Sequence, residues 1–139
     1  MTRITFIGHA SVEVQSGGKS VLIDPFINDN PSTSRSADDF TPDAILLTHG
    51  HEDHTADAFS IAKRSNCPIV AMVELAEYLQ GQGAPNGIGM NIGGPTTYGF
   101  GTVSFTPAFH SSSMGGKYMG MPAGVIFTTT DGVKIYHAG

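Results

Sequence analysis

The sequence predicts an α/β fold in which a short β meander precedes alternating strands and helices. Three observations support this prediction for a chain of 139 residues. Apolar positions recur at strand-like spacing through residues 3–23, and residues 44–80 repeat a strand-then-helix pattern. A cluster of potential metal ligands, residues 49–54, follows the strand that begins at Ala44. Strands that alternate with helices indicate a layered α/β domain, and polar groups at a strand end indicate a site there.

The first three strands are predicted from apolar runs separated by turn residues. Ile4–Ile7 and Val21–Ile23 are largely apolar, whereas Ser11–Gln15 alternates between apolar and polar positions. A hairpin turn over residues 16–19 joins the second strand to the third. The polar residues 28–42 are expected to form a loop, which either lies on the surface without further role or borders a site.

The middle of the chain predicts two strand–helix pairs. Their ranges are strand 44–48, helix 55–64, strand 68–72 and helix 74–80. Each helix carries apolar residues at helical spacing, and Gly81 is a typical residue for the end of the second helix.

The last third is rich in glycine and predicts short strands joined by tight turns. Strands are expected at 102–106, 123–129 and 133–136, and the Asp131-Gly132 pair is a strong hairpin signal. The serine-rich residues 111–116 are expected to be a flexible loop. Because no internal repeat or linker is present, we expect one domain over residues 1–139.

Composition excludes several classes of protein. The chain is 40% hydrophobic and 14% charged, which is typical of a globular protein, and no apolar run reaches the length of a membrane span. A net charge of −5 without a basic cluster gives no electrostatic basis for binding nucleic acid or an anionic membrane. Cys67 is the single cysteine and the N-terminus lacks a signal-peptide pattern, so a cytoplasmic location and an inert thiol are expected.

The candidate ligands in residues 49–54 have a spacing that suits a metal site. If the backbone remains extended after the strand, His49 and His51 point the same way and can converge on one ion. Asp53 and His54 lie at the turn into the helix, where they can face a second position. Imidazole and carboxylate are ligands that Zn²⁺ accepts, with Mn²⁺ as the alternative. The competing interpretation is a solvated polar turn.

The segment His49-Gly-His-Glu-Asp-His54 matches the His-x-His-x-Asp-His signature of the metallo-β-lactamase superfamily. Four further segments strengthen the match: Gly8-His-Ala-Ser11, Leu22-Ile-Asp-Pro-Phe26, Ala108-Phe-His-Ser-Ser-Ser113 and Tyr136-His-Ala-Gly139. With these segments the chain resembles a branch of small metal-dependent hydrolases related to the L-ascorbate-6-phosphate lactonases.

The resemblance implies a four-layer αβ/βα sandwich, of which this chain is the N-terminal half or slightly more. It also implies that His49, His51 and His110 bind the first metal, and that Asp53 and His54 bind the second. In the family an aspartate that bridges both metals follows the Tyr-His-Ala-Gly segment, and a further histidine comes later. We therefore expect a C-terminal part absent from this sequence, or another copy in a homo-oligomer, to pack on the inner sheet face.

Three more residues are candidates for supporting the site. Asp24 ends an apolar strand and is either a turn carboxylate or a partner for the second nitrogen of a ligating histidine. His9 follows a glycine at a strand end and is either a structural cap or part of the mouth of the pocket. His137 lies two residues before the position where the family's bridging aspartate would follow, and could support the metal ligands.

These residues predict a metal-dependent hydrolase that acts on a small molecule. Metal-activated water would attack an ester, lactone, amide or phosphodiester bond, and Asp53 would orient or deprotonate that water. The alternatives are a non-catalytic metal- or ligand-binding protein on the same fold, a structural zinc site, and a nuclease of the same superfamily. The nuclease is disfavoured by the acidic charge balance.

Overall fold

A six-stranded mixed sheet forms the centre of the computed structural model, which describes residues 1–139. The strand order is β1-β2-β3-β4-β5-β6, in which β1 to β3 are antiparallel and β3 to β6 are parallel. The bounds are β1 Arg3–Gly8, β2 Ser11–Ser16, β3 Lys19–Ile23, β4 Ala44–Leu46, β5 Ile69–Met72 and β6 Gly87–Met90. The predicted β meander followed by strand–helix pairs is therefore present.

The helices cover one face of this sheet. Their bounds are α1 Glu52–Thr55, α2 Ala58–Ser65 and α3 Val73–Gly81, with a 3-10 helix at Ala37–Asp39 inside the polar loop. Ile61 and Leu75, both fully buried, pack from α2 and α3 against strand residues such as Ile45. This packing explains why the parallel strands are apolar at the positions that point towards the helices.

The helix that the sequence predicted over residues 55–64 is two helices, and the first begins inside the ligand motif. The break falls at Asp57, whose backbone N–H donates to the Pro25 carbonyl at 3.1 Å. The Asp57 carboxylate accepts from the backbone N–H groups of Ile27 and Asn28 at 2.6 and 3.0 Å. Asp57 thus fixes the start of the polar loop against the helices, a long-range contact that local periodicity does not reveal.

A second, antiparallel sheet packs on the opposite face of the first. Its strand order is β12-β11-β8-β7, and β9 and β10 form a separate two-stranded hairpin, whose Met114 packs against the core on the helix side. The bounds are β7 Thr96–Tyr98, β8 Gly101–Pro107, β9 Ser113–Met114, β10 Lys117–Tyr118, β11 Ala123–Thr128 and β12 Lys134–His137. Part of the serine-rich segment that we expected to be a flexible loop therefore belongs to a hairpin.

The inner face of the first sheet is largely covered by this second sheet. Val21, Ile23 and Val70 pack there against Phe105 and Phe127, all nearly or fully buried. The core between the sheets therefore comes from this chain, and the expected open inner face is confined to one edge.

That open edge lies at β1. Ile4 is 53% exposed and Phe6 is 69% exposed. They lie opposite Val14 and Val12 in the antiparallel pairing, so they share the face that carries the inter-sheet core. We call Ile4 and Phe6 the β1 edge patch. Two neighbouring apolar side chains on an edge strand are an exposed surface that a further element or chain can cover.

The cysteine matches its prediction as an inert group. Cys67 is buried, and this burial raises the pKa of its thiol to about 11. A thiol with such a pKa carries almost no thiolate at neutral pH, so it is a weak nucleophile. None of the helices has the length and apolar composition needed to cross a membrane.

Candidate metal centre

Four of the five candidate ligands line one open cavity of about 780 Å³, and the fifth, His51, is in contact with His49 and His110. The cavity lies where the segments after β4 and β8 meet, so that residues distant in sequence contribute to it. His9, His49, Asp53, His54 and His110 form its polar side. The apolar side includes Pro107, Phe109, Pro122, Tyr136 and Ala138. A cavity with a few convergent polar groups and an apolar wall is typical of a small-molecule site.

Three histidines form the first ligand cluster. The Nε2 atom of His49 lies 3.1 Å from Nδ1 of His51, and Nε2 of His110 lies 3.2 Å from the same His51 atom. The three rings are nearly perpendicular to one another, with centroids 4.7 to 5.0 Å apart. The sequence expectation that His49 and His51 converge, and that His110 joins them, agrees with this arrangement.

The chemistry of these donors fits a divalent ion. Two nitrogens at about 2.05 Å from a tetrahedral ion lie roughly 3.3 Å apart, close to the observed separations. Burial, together with the neighbouring His54, lowers the pKa of His49 to about 4. His49 is therefore neutral at pH 7, which is the form that binds a metal.

A second cluster comprises His9, Asp53 and His54, whose ligand atoms lie within 4.8 Å of one another. Nε2 of His9 is 3.0 Å from Oδ2 of Asp53. Burial opposes ionisation of Asp53, but His54 and His9 outweigh it and lower the pKa of this carboxyl. Asp53 is thus a carboxylate at pH 7. The predicted second position therefore has His9 beside the Asp53 and His54 pair.

Asp24 determines which nitrogen of two ligand histidines remains free. One of its oxygens, Oδ2, lies 2.8 Å from Nδ1 of His54 and accepts from the Thr48 hydroxyl at 2.6 Å. Because the Thr48 proton points to Asp24, the Thr48 oxygen is left to accept from Nδ1 of His49 at 2.9 Å. Both histidines therefore carry their proton on Nδ1 and expose Nε2 to the cavity.

The pKa of His54 follows from the same contact. Burial lowers it, but the hydrogen bond and the charge of Asp24 are stronger, so the pKa of His54 is raised. Asp24 also groups geometrically with His49 and His54. Since its oxygens already accept from Thr48 and His54, it acts as their partner and not as a third ligand.

Asp24 is held in an unusual backbone conformation. It is fully buried, its φ is 48°, and its Oδ1 atom accepts from the backbone N–H of Thr48 at 2.8 Å. The Ser11 hydroxyl, also buried, donates to the Asp24 carbonyl at 2.7 Å and accepts from the Phe26 N–H at 2.9 Å. A left-handed backbone at a non-glycine residue is disfavoured, so these contacts must hold it.

The loop that carries His51 is packed closely against the serine-rich hairpin. Gly50 donates its N–H to the Ser112 hydroxyl at 3.1 Å, and a Cβ at Gly50 would lie 2.7 Å from Cβ of Met119. Only glycine fits between the two ligand histidines at that approach. Ser111 Oγ lies 3.3 Å from Nε2 of His51, on the opposite side of the ring from the ligand cluster.

His9 and His137 are the two remaining candidates, and only His9 is among the residues that line the cavity. His137 donates from Nε2 to the carbonyl of Ala10, the residue that follows His9, at 2.7 Å. Sequence reasoning did not identify Thr48, Ser11, Ser112 or Asp57 as supporting residues. A signal existed for Thr48, since it directly precedes His49 at the strand end, but its partner Asp24 is 24 residues away.

Comparison with known proteins identifies relatives along the whole chain. A family model described as "Beta-lactamase superfamily domain" matches residues 19–139. A UPF0173 metal-dependent hydrolase of Geobacillus thermodenitrificans is 50% identical over 99% of this chain and 62% of its own length. A similar protein of Shouchella clausii is 47% identical with the same coverage. The structure of Igni18, a metallo hydrolase from Ignicoccus hospitalis, superposes with a TM-score of 0.87 at 35% identity, over 99% of this chain and 60% of that one. The chain therefore spans about three fifths of the length of these relatives.

Proposed function

This chain belongs to the metallo-β-lactamase superfamily, and on that basis we propose that the protein is a metal-dependent hydrolase of small molecules. The observation that carries the proposal is the convergence of His49, His51 and His110 into one ligand cluster. Asp53 and His54 line the same cavity as His49 and His110. This cluster would hold one divalent ion, and Asp53 with His54 would contribute to a second. Zn²⁺ is the first candidate for this donor set and Mn²⁺ the alternative.

A bound divalent ion supplies a Lewis acid and lowers the pKa of a water molecule towards neutrality. Residues of this chain would support that chemistry in three ways. Asp53, ionised at pH 7, can orient the attacking water and accept its proton. Asp24 and Thr48 keep the Nε2 atoms of His49 and His54 free. The apolar wall that includes Phe109 and Tyr136 provides a surface for the uncharged part of a substrate.

For the substrate we propose an ester, lactone, amide or phosphodiester bond. The motif resemblance to the L-ascorbate-6-phosphate lactonases makes lactones the first class to test. A small molecule suits a cavity of about 780 Å³. A net charge of −5 disfavours nucleic acid as the substrate. We also propose a cytoplasmic location, since the single buried cysteine fits a reducing compartment.

Removal of the metal tests this function directly. We expect the protein to hydrolyse members of a lactone, ester, amide and phosphodiester panel, to lose that activity on dialysis against a chelator, and to regain it with Zn²⁺ or Mn²⁺. Turnover that survives chelation would contradict the proposal. The experiment is done with this chain and with a version extended to the full length of its relatives. Metal binding without turnover in both would favour the non-catalytic binding protein.

The β1 edge patch leads to a proposal about partners. We propose that a segment beyond this chain, or a second copy of it, covers Ile4 and Phe6, because both lie on the face that elsewhere forms the core between the sheets. Burial of one such aromatic side chain stabilises an interface by about 2 kcal/mol.

We expect the 139-residue chain to self-associate with increasing concentration and the Phe6→Ser variant to do so less. Sedimentation velocity over a concentration series measures this difference. Val133→Ser removes an exposed apolar side chain from the turn before β12 and serves as the matched control. Equal association of the Phe6→Ser and Val133→Ser variants would show that the β1 edge patch is not the contact.

A further inference from the structure

The turn between β1 and β2 presents His9 to the metal centre in a constrained conformation. His9 has a φ of 55°, and the preceding Gly8 has a φ of 147°. A Cβ at Gly8 would lie 3.0 Å from both Asn30 and Ser32, so this turn is packed against the polar loop. A left-handed conformation at a histidine is uncommon and needs contacts that fix it.

One of those contacts comes from the second sheet. The backbone N–H of Gly139 donates to Nδ1 of His137 at 3.1 Å, so Nδ1 is unprotonated and the ring proton is on Nε2. That Nε2–H then donates to the carbonyl of Ala10 at 2.7 Å. His137 at the end of β12 therefore holds the residue that directly follows His9.

The other side of the turn is fixed by Ser11. Its hydroxyl is buried and bonds to the Asp24 carbonyl at 2.7 Å and to the Phe26 backbone. The turn is thus tied to the second sheet through Ala10 and to the Asp24 segment through Ser11. His9, between these two ties, places Nε2 3.0 Å from Oδ2 of Asp53.

The contact between His9 and Asp53 does not fix the two side chains by itself, because both are about half accessible to solvent. The ring of His9 also meets the rings of Phe26 and His54 edge-on, with centroids 6.0 and 5.2 Å apart. These contacts restrict the ring only if the backbone that carries it stays in place. His137 is the side chain of the second sheet that holds this backbone.

We propose that His137 is a positioning residue of the metal centre, which acts through the β1–β2 turn to place His9 against Asp53. The inference rests on the proposed function, because Asp53 is one of the metal ligands proposed there. It adds a link from β12 to the second metal position that neither the ligand motif nor the comparisons specify.

The test uses nitrogen-15 and carbon-13 NMR of the metal-free chain, so its outcome does not depend on hydrolysis. In the wild-type chain we expect His137 as the Nε2–H tautomer. In His137→Phe, which keeps a ring and loses the donor, we expect the side-chain signals of His9 and Asp53 to shift while those of His110 stay in place. His137→Gln supplies an amide donor and should restore the wild-type His9 and Asp53 signals.

Ile135→Val, on the same strand, is the control for general loosening of β12 and should leave His9 and Asp53 unchanged. The proposal is overturned if wild-type His137 carries its proton on Nδ1. It is also overturned if His9 and Asp53 keep their signals in His137→Phe, or if Ile135→Val shifts them equally. Should His137→Phe fail to fold, the wild-type tautomer and the His137→Gln spectrum still decide the question.

Discussion

Replacement of His51 with alanine is expected to remove metal binding at the first position. Nδ1 of His51 is the common neighbour of His49 and His110, at 3.1 and 3.2 Å. Without it, two imidazoles remain and the ligand cluster is incomplete. Loss of a residue that hydrogen-bonds to a metal ligand already lowers metal affinity by about 10- to 100-fold. Loss of the ligand itself should therefore lower it by at least about 100-fold.

Isothermal titration with Zn²⁺ and a metal count on the dialysed protein measure this loss. Glu52→Ala is the matched control, because Glu52 is an exposed neighbour in the same segment and belongs to neither ligand cluster. The free energy of unfolding of metal-free His51→Ala should stay close to that of the wild type, since the ring is only partly buried. Zn²⁺ affinity equal to that of wild type in His51→Ala would refute the assignment of the first position.

The Asp24→Asn variant is expected to lower both metal affinity and stability. Asparagine keeps the size of the side chain and tolerates a φ of 48°, but its amide group cannot accept all three of the hydrogen bonds from Thr48 and His54. A buried donor left without a partner costs about 1–3 kcal/mol, and an altered outer partner costs about 10- to 100-fold in metal affinity.

Urea unfolding and Zn²⁺ titration measure these two effects. Asp38→Asn is the control, since Asp38 is an exposed carboxylate whose single ion pair with Arg64 lies on the surface.

The Thr48→Val variant separates the two hydrogen-bond branches that meet at Asp24, one through Thr48 to His49 and the other directly to His54. It removes the hydroxyl that accepts from His49 and leaves the Asp24–His54 contact, so it should weaken the first position more than the second. Equal effects of Thr48→Val on both positions would contradict the branched arrangement.

Much of the candidate site was predictable because most of its candidate ligands are close in sequence. His49, His51, Asp53 and His54 fall within six residues after a strand, and that spacing alone indicates two metal positions. His110 relied mainly on the family resemblance, since a single histidine at a strand end is only a weak local signal. The strands were predictable from their apolar alternation, whereas the 3-10 helix at Ala37–Asp39 and the β9–β10 hairpin were not. Each of these helices or strands is only two or three residues long, too short for a periodicity to be detected.

The sequence by itself indicated the candidate donor set, the β meander followed by strand–helix pairs, and the family to which the chain belongs. Only the tertiary structure decided how the donors are oriented. Asp24 reaches Thr48 and His54 because β3 and β4 are parallel neighbours, so that residues distant in the chain lie at one sheet edge. The proton position on His49 and His54 depends on these contacts. Hydrogen bonds between separate strands have no signature in a local pattern, which is why the candidate ligands could be identified from the sequence and their tautomers could not.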